Sequence, residues 1–156
     1  MKRLAIACAA LAAAAAIPVA ADDMAVYMNA ADIKWGDAPP TLPKGAKIAV
    51  LSGDPGKSGA FVARLMLPAN YKIAPHWHSA AEDLTIISGT FYLAEGDALD
   101  TKHAHAIEAG GYHHLPAKAH HFAYSKGPVV VQINGMGPFD IVYIDPKDDP
   151  SKPAAM

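Results

Sequence analysis

His76-Trp77-His78-Ser79-Ala80-Ala81-Glu82 is the stretch on which the fold of this 156-residue chain turns. All eight histidines lie between His76 and His121. Side chains of an extended segment repeat with period two, so His76 and His78 point to one side, where one ion can bind both. Trp77 then faces away from them. Glu82 cannot join them along a straight strand, because four extended residues carry its Cα roughly 13 Å beyond His78. The chain must bend within Ser79-Ala80-Ala81 and fold the carboxylate back towards the imidazoles. Two or more imidazoles with one carboxylate suit a divalent transition metal.

The start of the chain reads as an export signal. Lys2 and Arg3 form a charged n-region, residues 4–17 an apolar, alanine-rich h-region, and Val19-Ala20-Ala21 ends in the small residues a signal peptidase reads. The expectation is cleavage after residue 21 and a periplasmic or secreted chain beginning at Asp22. The apolar run is shorter than the roughly 20 residues of a membrane span, and Cys8 comes too early for a lipoprotein cysteine, so no stable membrane anchor is expected. The 135 residues left carry 11 basic and 15 acidic side chains and no cysteine. That excludes disulfides, thiolate ligands and a cysteine nucleophile. Without Lys/Arg clusters there is no footprint for nucleic acid or an anionic membrane. One hydrophobic core in one domain suffices.

Short apolar runs at 47–51, 60–67, 84–87, 90–94, 129–133 and 139–144 alternate with Gly/Pro/Asn breaks such as Ser88-Gly89, Gly110-Gly111 and Gly135-Met136-Gly137-Pro138. They predict strands, and many short strands at this spacing predict an all-β sandwich or barrel with little helix. The best helical candidate is a short stretch at 24–33, in which Met24 and Met28 read as core residues.

These residues carry a resemblance to the cupins, small double-stranded β-helix barrels of jelly-roll type. The first cupin motif, G-x5-H-x-H-x3/4-E-x6-G, is met by His76, His78, Glu82 and Gly89, with Asn70 in place of the first glycine. Asn also tolerates the left-handed conformation. The second, G-x5-P-x-G-x2-H-x3-N, is met by Gly110, Pro116 and His121, while Lys118 and Ser125 replace its second glycine and its asparagine. Residues 90–109 separate the motifs, which resembles a compact bacterial single-domain cupin. The phrases Gly137-Pro138-Phe139-Asp140-Ile141-Val142-Tyr143 and Asp145-Pro146-Lys147-Asp148-Asp149-Pro150 are similar to exported cupins of unassigned function. The implied organisation is a leader at 1–21, an N-terminal segment at 22–46, a cupin barrel at 47–145 and a mobile tail at 146–156.

The resemblance implies that His76, His78, Glu82 and His121 hold one metal inside the barrel. His120 and His121 face opposite sides of a strand, and the spacing from Pro116 selects His121. His103 and His105 form a second H-x-H near Glu108, in a loop where surface residues are the default. One of His113 and His114 faces inward, and Tyr92, Tyr124 and Gln132 are further candidates for inward positions. The metal, Mn, Fe, Ni, Cu or Zn, is not selected by ligand type alone. The implied function is a periplasmic metal-dependent enzyme on a small molecule, a dioxygenase-like oxidoreductase first. The alternative is a non-catalytic metal- or ligand-binding or sensor cupin, and a metal carrier is a third reading. A homodimer is expected, with residues 25–51 covering a sheet or exchanging with the partner.

Overall fold

The computed structural model describes residues 25–152. The expected leader, its cleavage point and Met24 lie outside that range. Eleven strands follow in order: β1 (Gly36–Asp37), β2 (Lys47–Ser52), β3 (Gly59–Leu67), β4 (Lys72–Trp77), β5 (Glu82–Ser88), β6 (Thr90–Glu95), β7 (His105–Glu108), β8 (Tyr112–Leu115), β9 (His121–Ser125), β10 (Val129–Gly137) and β11 (Val142–Tyr143). They pair antiparallel into a six-stranded sheet, β1-β2-β3-β10-β5-β8, and a five-stranded sheet, β11-β4-β9-β6-β7. The two sheets face each other as a cupin-type jelly roll. The helical candidate at 24–33 reduces, among the described residues, to one 3-10 turn at Ala30–Asp32. Met28 is 47% exposed rather than part of the core.

Alternation explains why these segments are strands. β3 buries Phe61, Ala63, Leu65 and Leu67 and turns Met66 to solvent. β10 answers with Val129, Val131 and Ile133, in register with Leu67, Leu65 and Ala63. β10 runs four residues beyond the predicted end, through two glycines that read as breaks. Both glycines serve close approach rather than a turn: a Cβ on Gly135 would stand 3.0 Å from the Phe61 ring, and one on Gly137 would run into the Lys57 carbonyl. β9 is buried at all five positions. Its outward Phe122 and Tyr124 pack with Ala94, Tyr92 and Ala104, so both faces of that strand are covered. Period-two polarity therefore gives no signal there.

The departures from the cupin motifs have local explanations. Asn70 and Lys118 both adopt the left-handed conformation, at φ 59° and 65°, which the motif's glycines would take without strain. The Lys118 amide donates to the His78 carbonyl at 2.8 Å. Ser125, standing where the motif has asparagine, donates from Oγ to the Pro68 carbonyl at 2.8 Å and accepts from the Tyr71 amide at 3.3 Å.

Residues 38–46, the loop of the β1–β2 hairpin, form a strap that reaches from the six-stranded sheet to the other. The Tyr143 hydroxyl donates to the Thr41 carbonyl at 2.7 Å, and the Tyr71 hydroxyl donates to the Pro43 carbonyl. Burial pushes both phenols up, Tyr71 to about 12, so each stays a hydrogen-bond donor at any physiological pH. At the chain's other end Asp145 accepts from the Lys147 amide and caps a 3-10 turn at Pro146–Asp148.

Candidate metal centre

His76 sits near the end of β4, opposite His121 of β9 in the register of the five-stranded sheet. Beyond Trp77 the chain leaves this sheet, turns through Ser79-Ala80-Ala81, and enters β5 of the six-stranded sheet at Glu82. The bend predicted from reach alone is thus a crossing between sheets. It brings the carboxylate in from the opposite wall. The bend is held by Asp140, whose Oδ1 accepts from the Ser79 amide at 2.7 Å and from the Ser79 hydroxyl at 2.8 Å.

The four side chains are nearly sealed: His76 is 3% exposed, His78 6%, Glu82 5% and His121 2%. One ring nitrogen from each of His76, His78 and His121 lies within 4.8 Å of the others. Glu82 stands beside this triplet, with Oε2 3.8 Å from His78 Nε2. Each imidazole is oriented by a backbone carbonyl. Nδ1 of His76 meets the Ala74 carbonyl at 2.7 Å, Nδ1 of His78 the Asp140 carbonyl at 2.5 Å, and Nδ1 of His121 the Ala119 carbonyl at 3.0 Å. A carbonyl only accepts, so each Nδ1 carries a proton, and Nε2 is the nitrogen each neutral ring has free to ligate. That is the tautomer a ligating histidine needs, fixed before any ion arrives. Phe139 stacks on the His78 ring at 4.5 Å between centroids.

Burial sets the charge state. Desolvation, and then the neighbouring His121 and His78, hold His76 well below the usual histidine range. Desolvation brings His121 down to about 4. Desolvation also pushes the Glu82 carboxyl up. Neutral rings at His76 and His121 beside a buried carboxyl form an electron-rich pocket, which is the environment a divalent ion compensates. Donor type, tautomer and charge all fit such an ion.

The cluster opens onto a cavity of about 380 Å³ in the barrel interior. Leu65, Leu67, Phe91 and Leu93 contribute to its walls, and Pro39, Thr41 and Leu42 of the strap close one side. No sequence signal marked the strap or Asp140 as parts of the site, because both join it from far along the chain.

Other histidines take different places. His120 is exposed, with Nδ1 2.5 Å from Asp97 Oδ1. His103 pairs with Asp100 at 2.6 Å. His105 does not sit in a loop: it opens β7, the edge strand of its sheet. His114 pairs with Asp83 at 2.8 Å. His113 shares a register position with the buried Leu84 and has no partner for Nε2, yet it does not line the cavity. Tyr92 and Tyr124 stack on each other at 4.7 Å outside the cavity, and Gln132 accepts from Arg64 at 3.0 Å. None of these three reaches the interior site expected of them.

Residues 7–142 match a family model described as a domain of unknown function (DUF4437). No curated protein matches the chain. Among solved structures, the chain is similar to the polyketide cyclase RemF from Streptomyces resistomycificus, with a TM-score of 0.68 and 14% identity over 82% of this chain and 91% of that one. It is similar to a proposed acetylacetone dioxygenase from Methylibium petroleiphilum PM1, with a TM-score of 0.63 and 19% identity over 88% and 90%. An RmlC-like cupin from Shewanella frigidimarina NCIMB 400 follows at 0.55 and 12% over 72% and 91%. Likeness at these identities establishes the cupin fold.

Proposed function

The chain belongs to the DUF4437 family, whose description leaves its activity open, and from that premise we propose a mononuclear metal-dependent cupin that acts on a small molecule as a dioxygenase-type oxidoreductase. The observation that carries the proposal is the convergence of three Nδ1-anchored imidazoles at the head of a cavity. His76, His78 and His121 would hold the ion through Nε2, and Glu82 would supply the carboxylate. An Fe(II) or Mn(II) ion bound there would supply Lewis acidity and chemistry with O2.

The chain's own contributions are positional. The Ala74, Asp140 and Ala119 carbonyls keep the rings turned inward, and Phe139 limits rotation of His78. The hydrocarbon walls keep bulk water from the reacting centre. Glu82, on the opposite sheet, brings a carboxyl to within 3.8 Å of His78 Nε2, where a bound cation would favour its ionised form. The solved neighbour described as a proposed acetylacetone dioxygenase supports the oxidoreductase reading, and the polyketide cyclase shares the barrel alone.

Elemental analysis of protein produced with Mn, Fe, Ni, Cu and Zn all supplied is expected to give one metal per chain. Nitric oxide added anaerobically to the Fe(II)-loaded protein is expected to give a half-integer-spin resonance, the signature of a vacant position beside the ligands. Zinc retained against Fe(II) exchange, with no such resonance, would sink the enzymatic reading in favour of the binding role.

We also propose export, on the charged, apolar and small-residue order of residues 1–21. Protein recovered from the periplasmic fraction of an exporting host is expected to have an intact mass starting at Asp22. A mass that retains Met1 would count against it.

A further inference from the structure

We infer that the cavity takes a largely hydrocarbon molecule, uncharged or singly charged, with one oxygen-bearing head directed at His76, His78 and His121. Ligation of that head rests on the metal reading above; the hydrocarbon character of the guest does not.

The lining argues by what it contains and what it lacks. Neither Lys nor Arg is among the residues around the cavity, and its ionisable members are the three histidines, Glu82 and Asp140. Asp140 is engaged by Ser79. Thr41 is the single hydroxyl side chain of the lining. A phosphate or a second carboxylate would therefore be buried without a counter-charge, and a sugar would leave most of its hydroxyls unpaired. Water fares little better. The space equals roughly a dozen water molecules, each of which needs two to four polar partners. Along most of the walls such partners are missing, so a hydrocarbon guest displaces poorly bonded water at little cost.

The space has an identifiable origin. Interiors normally pack without voids larger than a water molecule. Here Ala63 of β3 and Ala123 of β9, buried to 1% and 2% exposure, face the cavity from the two opposing sheets. On β3 the inward neighbours are Phe61 and Leu65, and across from Ala123 in register stand Ile73 and Leu93. The two alanines are the small side chains among large ones, on both walls at once. They set the room available and are the specificity-determining positions.

The test is calorimetric titration of the Zn(II)-loaded protein, redox-inert, with acetophenone and 2-octanone, against citrate and glucose. Both ketones are expected to bind at least about tenfold more tightly than citrate or glucose. Ala63→Leu and Ala123→Leu are expected to weaken ketone binding by about tenfold or more, with the zinc content per chain unchanged. If the leucine variants do not fold, Ala63→Val and Ala123→Val give a smaller loss of the same sign. Citrate or glucose binding as tight as the ketones, or ketone binding indifferent to every substitution, overturns the inference. Wild-type protein that takes zinc and binds neither ketone also overturns it, while leaving the metal reading intact. Protein that takes no metal but binds ketones with the same dependence on Ala63 and Ala123 supports the hydrocarbon site and removes the metal reading.

Discussion

His121→Ala is expected to empty the metal site and lower the melting temperature of the metal-loaded protein by roughly 10 °C, while His120→Ala leaves both nearly unchanged. An ion present at a hundred times its dissociation constant adds about 2.7 kcal/mol to the folded state. For a domain of this size that amounts to several degrees per kcal/mol, or roughly 10 °C in all. The neighbours make the comparison sharp, because they share composition and backbone. They differ in environment: His121 is buried opposite His76, and His120 is exposed and paired with Asp97. His76→Ala and His78→Ala are expected to follow His121→Ala. Glu82→Gln separates binding from folding: it should weaken metal retention yet stabilise the metal-free protein, since a carboxylate destabilised by burial is gone. Metal analysis with thermal melts decides. Retention of metal by His121→Ala and its loss from His120→Ala would shift the register of the second motif by one residue.

The metal-free protein is expected to lose stability as the pH falls below about 6.5. His121 has its folded-state value depressed to about 4 from an ordinary 6.5. A depressed value means that the unfolded chain takes up protons that the folded chain refuses. The contribution is complete above the unfolded value and is lost as the pH falls towards the folded one. The difference corresponds to about 3 kcal/mol for this side chain. His76, depressed in the same direction, adds to it. Glu82 has the opposite sign, because its raised value favours the folded state once the pH falls low enough to protonate it. It blunts the loss at the acid end. Urea unfolding at pH 7, 5.5 and 4.5 measures the slope, which His121→Ala should flatten. With metal bound the drop becomes steeper, since protons and the ion compete for the same nitrogens. A flat profile in the metal-free protein would contradict the burial of neutral imidazoles.

Much of this was legible in the residues before any coordinates. The histidine pair gave an extended segment, and the chain length between His78 and Glu82 required a bend. Motif spacing separated His121 from His120, because alternation in a strand is a binary choice. The strands at 47–51, 60–67, 84–87 and 90–94 lie within β2, β3, β5 and β6. Their apolar residues alternate or run together in the usual ways. What escaped has physical reasons. β7, β8 and β9 carry histidines at positions where apolar residues would announce a strand, and β9 is covered on both faces. β10 continues through glycines whose role is close approach to Phe61 and Lys57. Asp140 and the strap join the site from sequence separations that no local pattern encodes.

The strap also gives the cavity a history. Thr41 is synthesised 102 residues before Tyr143, the side chain that fastens it. At ribosomal rates that interval is roughly 5 to 20 s. β3 likewise waits for β10, whose partners run from Gly59↔Gly137 to Leu67↔Val129. The nascent chain thus carries one edge of β3 unpaired until nearly its last strand exists, and the loop closed by the Tyr143–Thr41 bond is among the longest the domain makes. Such non-local closure slows folding and prolongs exposure to aggregation. A chamber for a hydrocarbon guest is, for the same reason, the part of this molecule most exposed to wrong partners while it is being made.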